Sequence, residues 1–330
     1  MTAQLLAPRA RQRPALPPRA TIPRRAAPAL PSFEVTGPAG APLVIALGGI
    51  SASCHVVATP GDPSPGWWEC VVGPGGAVDT RRWRVLGVDF LDGGRAADGR
   101  PARTVTTHDQ ADALARVLDA AGVECARLVI GASYGGMVAL AFGARHAARA
   151  EGLVVISAAH ESHPMSTGLR AFQRRIVELG LDTGRPNDGM ILARAVAMTT
   201  YRTAREFGER FRDSVPGQAE GRIVFPVESY LEAAGKRFAA WCPPERFLAL
   251  SLSSDLHRVD PAALQVPSVL IAEEGDTLVP EEQIIELAGR IAAPHRYVHL
   301  TTIYGHDAFL TDSATINPIL TSALDGPPPA

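Results

Sequence analysis

Leu128-Val129-Ile130-Gly131-Ala132-Ser133-Tyr134-Gly135-Gly136-Met137 is the stretch on which the reading of this chain turns. An apolar run ends at Gly131, a serine stands two residues on between glycines, and Met137-Val138-Ala139-Leu140-Ala141-Phe142 opens an apolar helix. A serine on so tight a strand-to-helix bend projects its hydroxyl above the sheet edge. The glycines remove Cβ atoms that would collide there. The five-residue pattern is common by chance, so its strand-to-helix setting is what makes Ser133 a candidate nucleophile.

Similar apolar runs flank this one. Residues 43–47 stop at Gly48-Gly49, 84–88 at Asp89, 153–156 at Ser157 and 268–272 at Glu273. Runs without alternation are buried on both faces, which predicts a mostly parallel sheet covered by helices, an α/β fold. Residues 107–121 carry Ala111, Leu114, Ala115, Leu118 and Ala121 at helical spacing, with Gly122 as the stop. Residues 161–258 break the rhythm with amphipathic patterns at 168–180, 189–201, 204–212, 227–240 and 245–256. These ranges predict a core built from 31–160 and 259–325, with 161–258 inserted as a helical lid.

A serine hydroxyl needs a base, and the base needs an orienting acid, in the chain order Ser, Asp, His. Glu274-Gly275-Asp276 follows the strand ending at Ala272, and Gly305-His306-Asp307 follows the strand-like Tyr297-Val298-His299-Leu300. Asp276 and His306 are therefore the candidate acid and base. Asp255 and Asp260 are weaker candidates, since they end the insertion rather than a strand. An oxyanion would be met by the Tyr134 amide and by one from Leu47-Gly48-Gly49, with Leu47 first and Gly48 second. Gly73-Pro74-Gly75-Gly76 lacks the spacing of a phosphate loop and reads as a turn.

Composition sets the outer bounds. Hydrophobic residues make up 46% and charged residues 20% of 330, and the formal charge of −2 argues against nucleic acid or an anionic membrane as partner. No apolar run nears the length of about 18 residues needed to span a bilayer. Cys54, Cys70, Cys125 and Cys242 lie in neither disulfide-framework nor metal-ligand spacing, which fits a cytoplasmic protein without a metal site. Residues 1–30, rich in Pro, Ala and Arg, read as a disordered tail.

Taken together the residues resemble the homoserine O-acyltransferases of the α/β-hydrolase superfamily over residues 41–324. The resemblance rests on Ala46-Leu47-Gly48-Gly49-Ile50-Ser51, the elbow continued by Gly135-Gly136-Met137, Phe172-Gln173-Arg174-Arg175-Ile176, Leu192-Ala193-Arg194 and Thr200-Tyr201-Arg202. Further along it rests on Phe207-Gly208-Glu209-Arg210-Phe211, Tyr230-Leu231, Ser254-Asp255-Leu256-His257, Gly275-Asp276 and Gly305-His306-Asp307-Ala308-Phe309-Leu310. Several of these lie in the insertion, which ordinary esterases would not share. The length and the Leu-Gly-Gly-Ile-Ser opening are most similar to the shorter, succinyl-transferring branch.

The resemblance implies an α/β-hydrolase fold and an acyl-enzyme on Ser133 in a ping-pong reaction of methionine biosynthesis. It implies an acyl-CoA, succinyl-CoA or acetyl-CoA, as co-substrate, with no bound cofactor and no metal. By position, Arg174 would hold the acceptor's α-carboxylate, Asp307 its ammonium, and Tyr201 would line the same pocket. Arg175, Arg194 or Arg202 would face the distal carboxylate of a succinyl group. The competing readings are a homoserine or serine O-acetyltransferase, a carboxylesterase, and a non-catalytic binding module on the same fold. The assembly state is open between monomer and homodimer.

Overall fold

The computed structural model describes residues 30–219 and 221–326, so the tail expected at 1–30 lies, apart from Leu30, outside the described residues. In chain order the strands are β1 (Phe33–Thr36), β2 (Leu43–Leu47), the two-residue β3 (Val72–Gly73) and β4 (Val78–Asp79), β5 (Arg84–Val88), β6 (Leu128–Ala132) and β7 (Leu153–Ile156). After them come the short pair β8 (Gly217–Ala219) and β9 (Arg222–Val224), then β10 (Ser268–Glu273) and β11 (His295–Leu300). Seven strands form one sheet in the order β1-β5-β2-β6-β7-β10-β11. All neighbours run parallel except β1, which pairs antiparallel with β5 at one edge.

The apolar runs need no alternation because each face of the sheet has its own cover. Leu43, Ile45 and Leu47 of β2 join one apolar cluster, while Val44 and Ala46 join the other. Helices α1 (Thr107–Ala120) and α2 (Tyr134–Arg145) supply Leu114, Leu118, Leu140 and Phe142 to the first cluster. Thr106 Oγ1 caps α1 by accepting the Asp109 amide, and the Asp109 carboxylate accepts the Thr106 amide in return, a reciprocal arrangement that stabilises a helix start by about 1 kcal/mol.

Between β7 and β10 run five helices, α3 (Pro164–Asp182), α4 (Pro186–Tyr201), α5 (Ala204–Phe211), α6 (Pro226–Ala239) and α7 (Pro244–Asp255), with β8 and β9 between α5 and α6. Four of the five begin on proline, whose missing N–H is no loss in a first turn. That starts α3 and α4 four and three residues, respectively, before the apolar periodicity begins. On α3 the buried residues Ser166, Gln173, Val177 and Gly180 form one inward stripe. After the insertion, α8 (Glu281–Arg290) follows β10, and α9 (Ala308–Thr311) and α10 (Ser313–Asp325) follow β11. Among the described residues no helix is long and apolar enough to cross a membrane.

Candidate active site

Ser133 sits between β6 and α2 with φ 55° and ψ −121°, a conformation an L-residue holds only when its surroundings impose it. Those surroundings are backbone. A Cβ on Gly135 would lie 2.2 Å from the Leu47 carbonyl oxygen, so no side chain fits there. With that space open, the Gly135 amide donates to the Gly48 carbonyl at 2.9 Å and fastens the bend to the loop after β2. Beside it, Gly49 leaves its backbone near Ser133, where a Cβ would stand 4.0 Å from Oγ. The Tyr134 amide opens α2, where first-turn N–H groups have no intrahelical acceptor, so it is free to meet an oxyanion.

His306 lies in the turn after β11, and Asp276 in the turn after β10. The parallel pairing of these strands, Glu273 opposite Leu300, brings both turns to one edge of the sheet. His306 Nδ1 is 2.7 Å from Asp276 Oδ2, and His306 Nε2 is 2.7 Å from Ser133 Oγ. Asp276 is itself fixed, because its Oδ1 accepts the amides of Leu278 at 2.8 Å and Val279 at 3.0 Å. With Nδ1–H donated to a carboxylate, Nε2 is left as the acceptor for the serine proton.

Burial pulls the His306 imidazole down, but the Asp276 charge and hydrogen bond, aided by Asp307, outweigh it and set the group above its ordinary value. A base must be neutral to act, so activity is lost as pH falls through that raised value. The acidic limb of kcat/KM should therefore have its midpoint above the ordinary imidazole value of about 6.5, losing roughly tenfold per pH unit below it. A midpoint at or below the ordinary value would contradict this reading of the site. A third acid, Glu273, is buried behind Ser157. Burial and the nearby Asp276 and Asp307 push its carboxyl well above the carboxylate range, while Ser157 Oγ donates to it at 2.6 Å. Glu273 is thus engaged by Ser157, and Asp276 is the carboxylate that meets His306.

Two clefts meet at Ser133. Gly49, Trp67, Arg194, Tyr201, Asp307 and Leu310 line an outer one of about 570 Å³. Tyr134, Met137, Arg170, Gln173, Ser251 and Val279 line an inner one of about 530 Å³. Ile50, Ser133, Tyr201 and His306 border both. The Tyr201 ring stands 5.9 Å from the His306 ring, and burial pushes its phenol up. Asp307 is buried, which raises its carboxyl, against the opposing charges of Arg202, His306 and Arg194.

The arginines differ from expectation. Arg174 lines neither cleft. The α3 helix turns it toward α7, where Nη1 donates to Asp255 Oδ2 at 2.6 Å and to Ser251 Oγ at 3.0 Å. Arg194 of α4 is the cation that reaches the outer cleft, its guanidinium carbon 5.0 Å from the Tyr201 ring and 4.8 Å from the Phe238 ring. Arg175 is exposed and paired with Glu178, and Arg202 lies between Glu206 and Asp307, 3.1 Å from each. Neither borders a cleft, so both leave the set of arginines able to face an acyl group. Arg170, one turn before Arg174, is the residue the sequence reading missed. The signal was present as an i, i+4 pair opposite Asp255, but only packing shows which member faces the cleft.

A family model described as alpha/beta hydrolase fold matches residues 42–313. The chain is 44% identical over 292 residues to a homoserine O-succinyltransferase of Xanthomonas campestris, covering 88% of this chain and 78% of that one. It is 34% identical to an L-serine/homoserine O-acetyltransferase of Streptomyces lavendulae, covering 83% and 85%. It is 32% identical to a serine O-succinyltransferase of Xanthomonas campestris, covering 85% and 87%. Among solved structures, a homoserine O-acetyltransferase from Bacillus anthracis superposes with TM-score 0.78 at 16% identity, over 90% of this chain and 92% of that one. Esterase E22 superposes with TM-score 0.76 at 19% identity, over 89% and 93%. At such identities these two likenesses bear on the fold alone.

Proposed function

The chain belongs to the α/β-hydrolase-fold family and is an acyltransferase among the serine and homoserine O-acyltransferases, and from that premise we propose that it carries a succinyl group from coenzyme A to the hydroxyl of homoserine. The observation that carries the acceptor reading is that Arg194 and Asp307, the latter 3.1 Å from Arg202, both line the outer cleft beside Ser133 and His306. An amino acid presents a carboxylate and an ammonium together, and a cleft bearing both opposite charges suits it. A simple ester requires neither.

In this reading Ser133 Oγ attacks the thioester carbonyl as His306 Nε2 takes its proton. The Tyr134 amide and a donor from the Leu47-Gly48 corner receive the oxyanion. His306 then protonates the departing thiolate of coenzyme A, leaving an ester on Ser133. Homoserine occupies the vacated outer cleft and His306 takes its hydroxyl proton. The alkoxide attacks the ester, and Ser133 leaves with the proton. Transfer rather than hydrolysis needs water kept from the ester, and α3 and α4 supply the roof residues Gln173, Arg194 and Tyr201. The product is a homoserine whose oxygen has become a leaving group, which suits a cytoplasmic step toward methionine.

The test is release of coenzyme A from succinyl-CoA and acetyl-CoA with homoserine or serine. Succinyl-CoA with homoserine should be fastest, and release of free succinate without an acceptor at the same rate would favour an esterase instead. Arg194→Ala should raise KM for homoserine roughly 100-fold, the scale of a lost charged hydrogen bond, and leave KM for the donor within about twofold. Equal changes in both constants would remove Arg194 from the acceptor site.

A further inference from the structure

The inner cleft ends against an unusual balance of charge. Arg170 Nε and Arg174 Nη1 both pair with Asp255, at 2.7 and 2.6 Å. The three side chains are 15%, 16% and 6% exposed, so two half-buried cations share one anion. No carboxylate lines this cleft to neutralise the excess. A cation held out of water without a counter-charge is costly, which makes the cleft complementary to an anion. Two further observations point the same way. Arg170 also donates to Ser162 through Nη2, but its Nη1 has no protein acceptor among the described residues. Gln173, only 4% exposed, lines the cleft with its carboxamide hydrogen-bonded to no described protein group.

We propose that the inner cleft is the acyl subsite, in which Arg170 and Gln173 hold the free terminal carboxylate of a dicarboxylic acyl group while its carbonyl carbon lies at Ser133. This assignment rests on the acyl-transfer reading above and names which groups select the donor. The charges of the two clefts sort the substrates. The outer cleft is lined by Arg194 and by Asp307, whose carboxylate also meets Arg202, and so presents groups of both signs to a zwitterion. The inner cleft offers a net cation to a monoanion. Met137, Leu278 and Val279 supply apolar contact for the methylenes between the two ends of the acyl chain. Ser133 and His306 border both clefts, so an acyl group can stay in the inner one while coenzyme A and then homoserine occupy the outer.

The experiment compares succinyl-CoA with butyryl-CoA, which has the same chain length and no terminal charge, by coenzyme A release with saturating homoserine. Arg170→Met removes the excess cation and leaves Asp255 paired with Arg174, so the fold keeps its buried ion pair. The wild type should prefer succinyl by 100-fold or more. Arg170→Met should lower kcat/KM for succinyl-CoA about 100-fold, leave that for butyryl-CoA within about threefold, and leave KM for homoserine nearly unchanged. Arg170→Lys should recover part of the preference. Gln173→Leu should lower the succinyl preference about tenfold, and it reads the same ratio if Arg170→Met fails to fold. A wild-type enzyme releasing coenzyme A from neither thioester would bring down the acyl-transfer reading and this assignment with it. A succinyl-selective enzyme whose selectivity survives Arg170→Met and Gln173→Leu, or whose variants lose homoserine affinity instead, overturns the subsite alone.

Discussion

Ser133→Ala is expected to lower coenzyme A release by about 10⁴-fold or more, and to abolish the covalent adduct that a brief incubation with succinyl-CoA leaves on the wild type. The magnitude follows from the geometry at the bend. Among the described residues Ser133 Oγ is the hydroxyl 2.7 Å from His306 Nε2, so removing it leaves that base with no hydroxyl to activate. The fold should not change, because alanine keeps the Cβ already accommodated at φ 55° and, among the described residues, the hydroxyl is hydrogen-bonded to His306 alone. Thermal unfolding at the wild-type midpoint, with no adduct by intact mass, is the expected pair of results. A variant retaining more than about a hundredth of wild-type turnover would mean that acyl transfer proceeds directly between bound substrates, without Ser133.

The fold was legible wherever burial on both faces left its mark on composition. The runs that became β2, β5, β6, β7 and β10 are apolar at nearly every position, and the sheet clusters show why. β1 escaped because Phe33-Glu34-Val35-Thr36 is a half-exposed edge strand, and β8 and β9 because they form a short hairpin with no core to bury. Boundaries in the insertion moved for a local reason. Periodicity marks where a helix packs, whereas Pro164 and Pro186 mark where its backbone starts.

The positions of Ser133, Asp276 and His306 were legible for a related reason. Each follows a strand that the composition marks, and parallel strands deliver such turns to one edge. The arginines were not legible in the same way. Whether a residue of α3 or α4 looks into the cleft depends on the helix's rotation against its neighbours, which Asp255 sets for Arg170 and Arg174 and the Tyr201 and Phe238 rings set for Arg194. Those partners lie up to 85 residues away in the chain, and no local pattern announces them.

Asp276→Asn should cost nearly as much as losing the nucleophile, about 10⁴-fold in kcat/KM, although it changes one atom. The reason lies in what each oxygen of Asp276 accepts. Oδ1 takes two backbone amides and Oδ2 takes the imidazole, so both oxygens face donors. An asparagine must turn its NH₂ toward one of them. Facing Leu278 and Val279, that NH₂ would set donor against donor in a buried site, a loss of roughly 1–3 kcal/mol for each unsatisfied group. The asparagine therefore points its oxygen at the two amides and its NH₂ at His306. Nδ1 must then become an acceptor, the proton moves to Nε2, and the imidazole donates to Ser133 instead of accepting from it. Glu273 does not substitute, because its carboxyl accepts from Ser157 while His306 Nδ1 faces Asp276. The check is kcat/KM across the pH range together with imidazole proton resonances. The variant should show the loss on the whole plateau, with a proton on Nε2 in place of Nδ1. An activity within about tenfold of wild type would show that His306 keeps its working tautomer without a carboxylate, and Asp276 would then be only a structural anchor for the turn after β10.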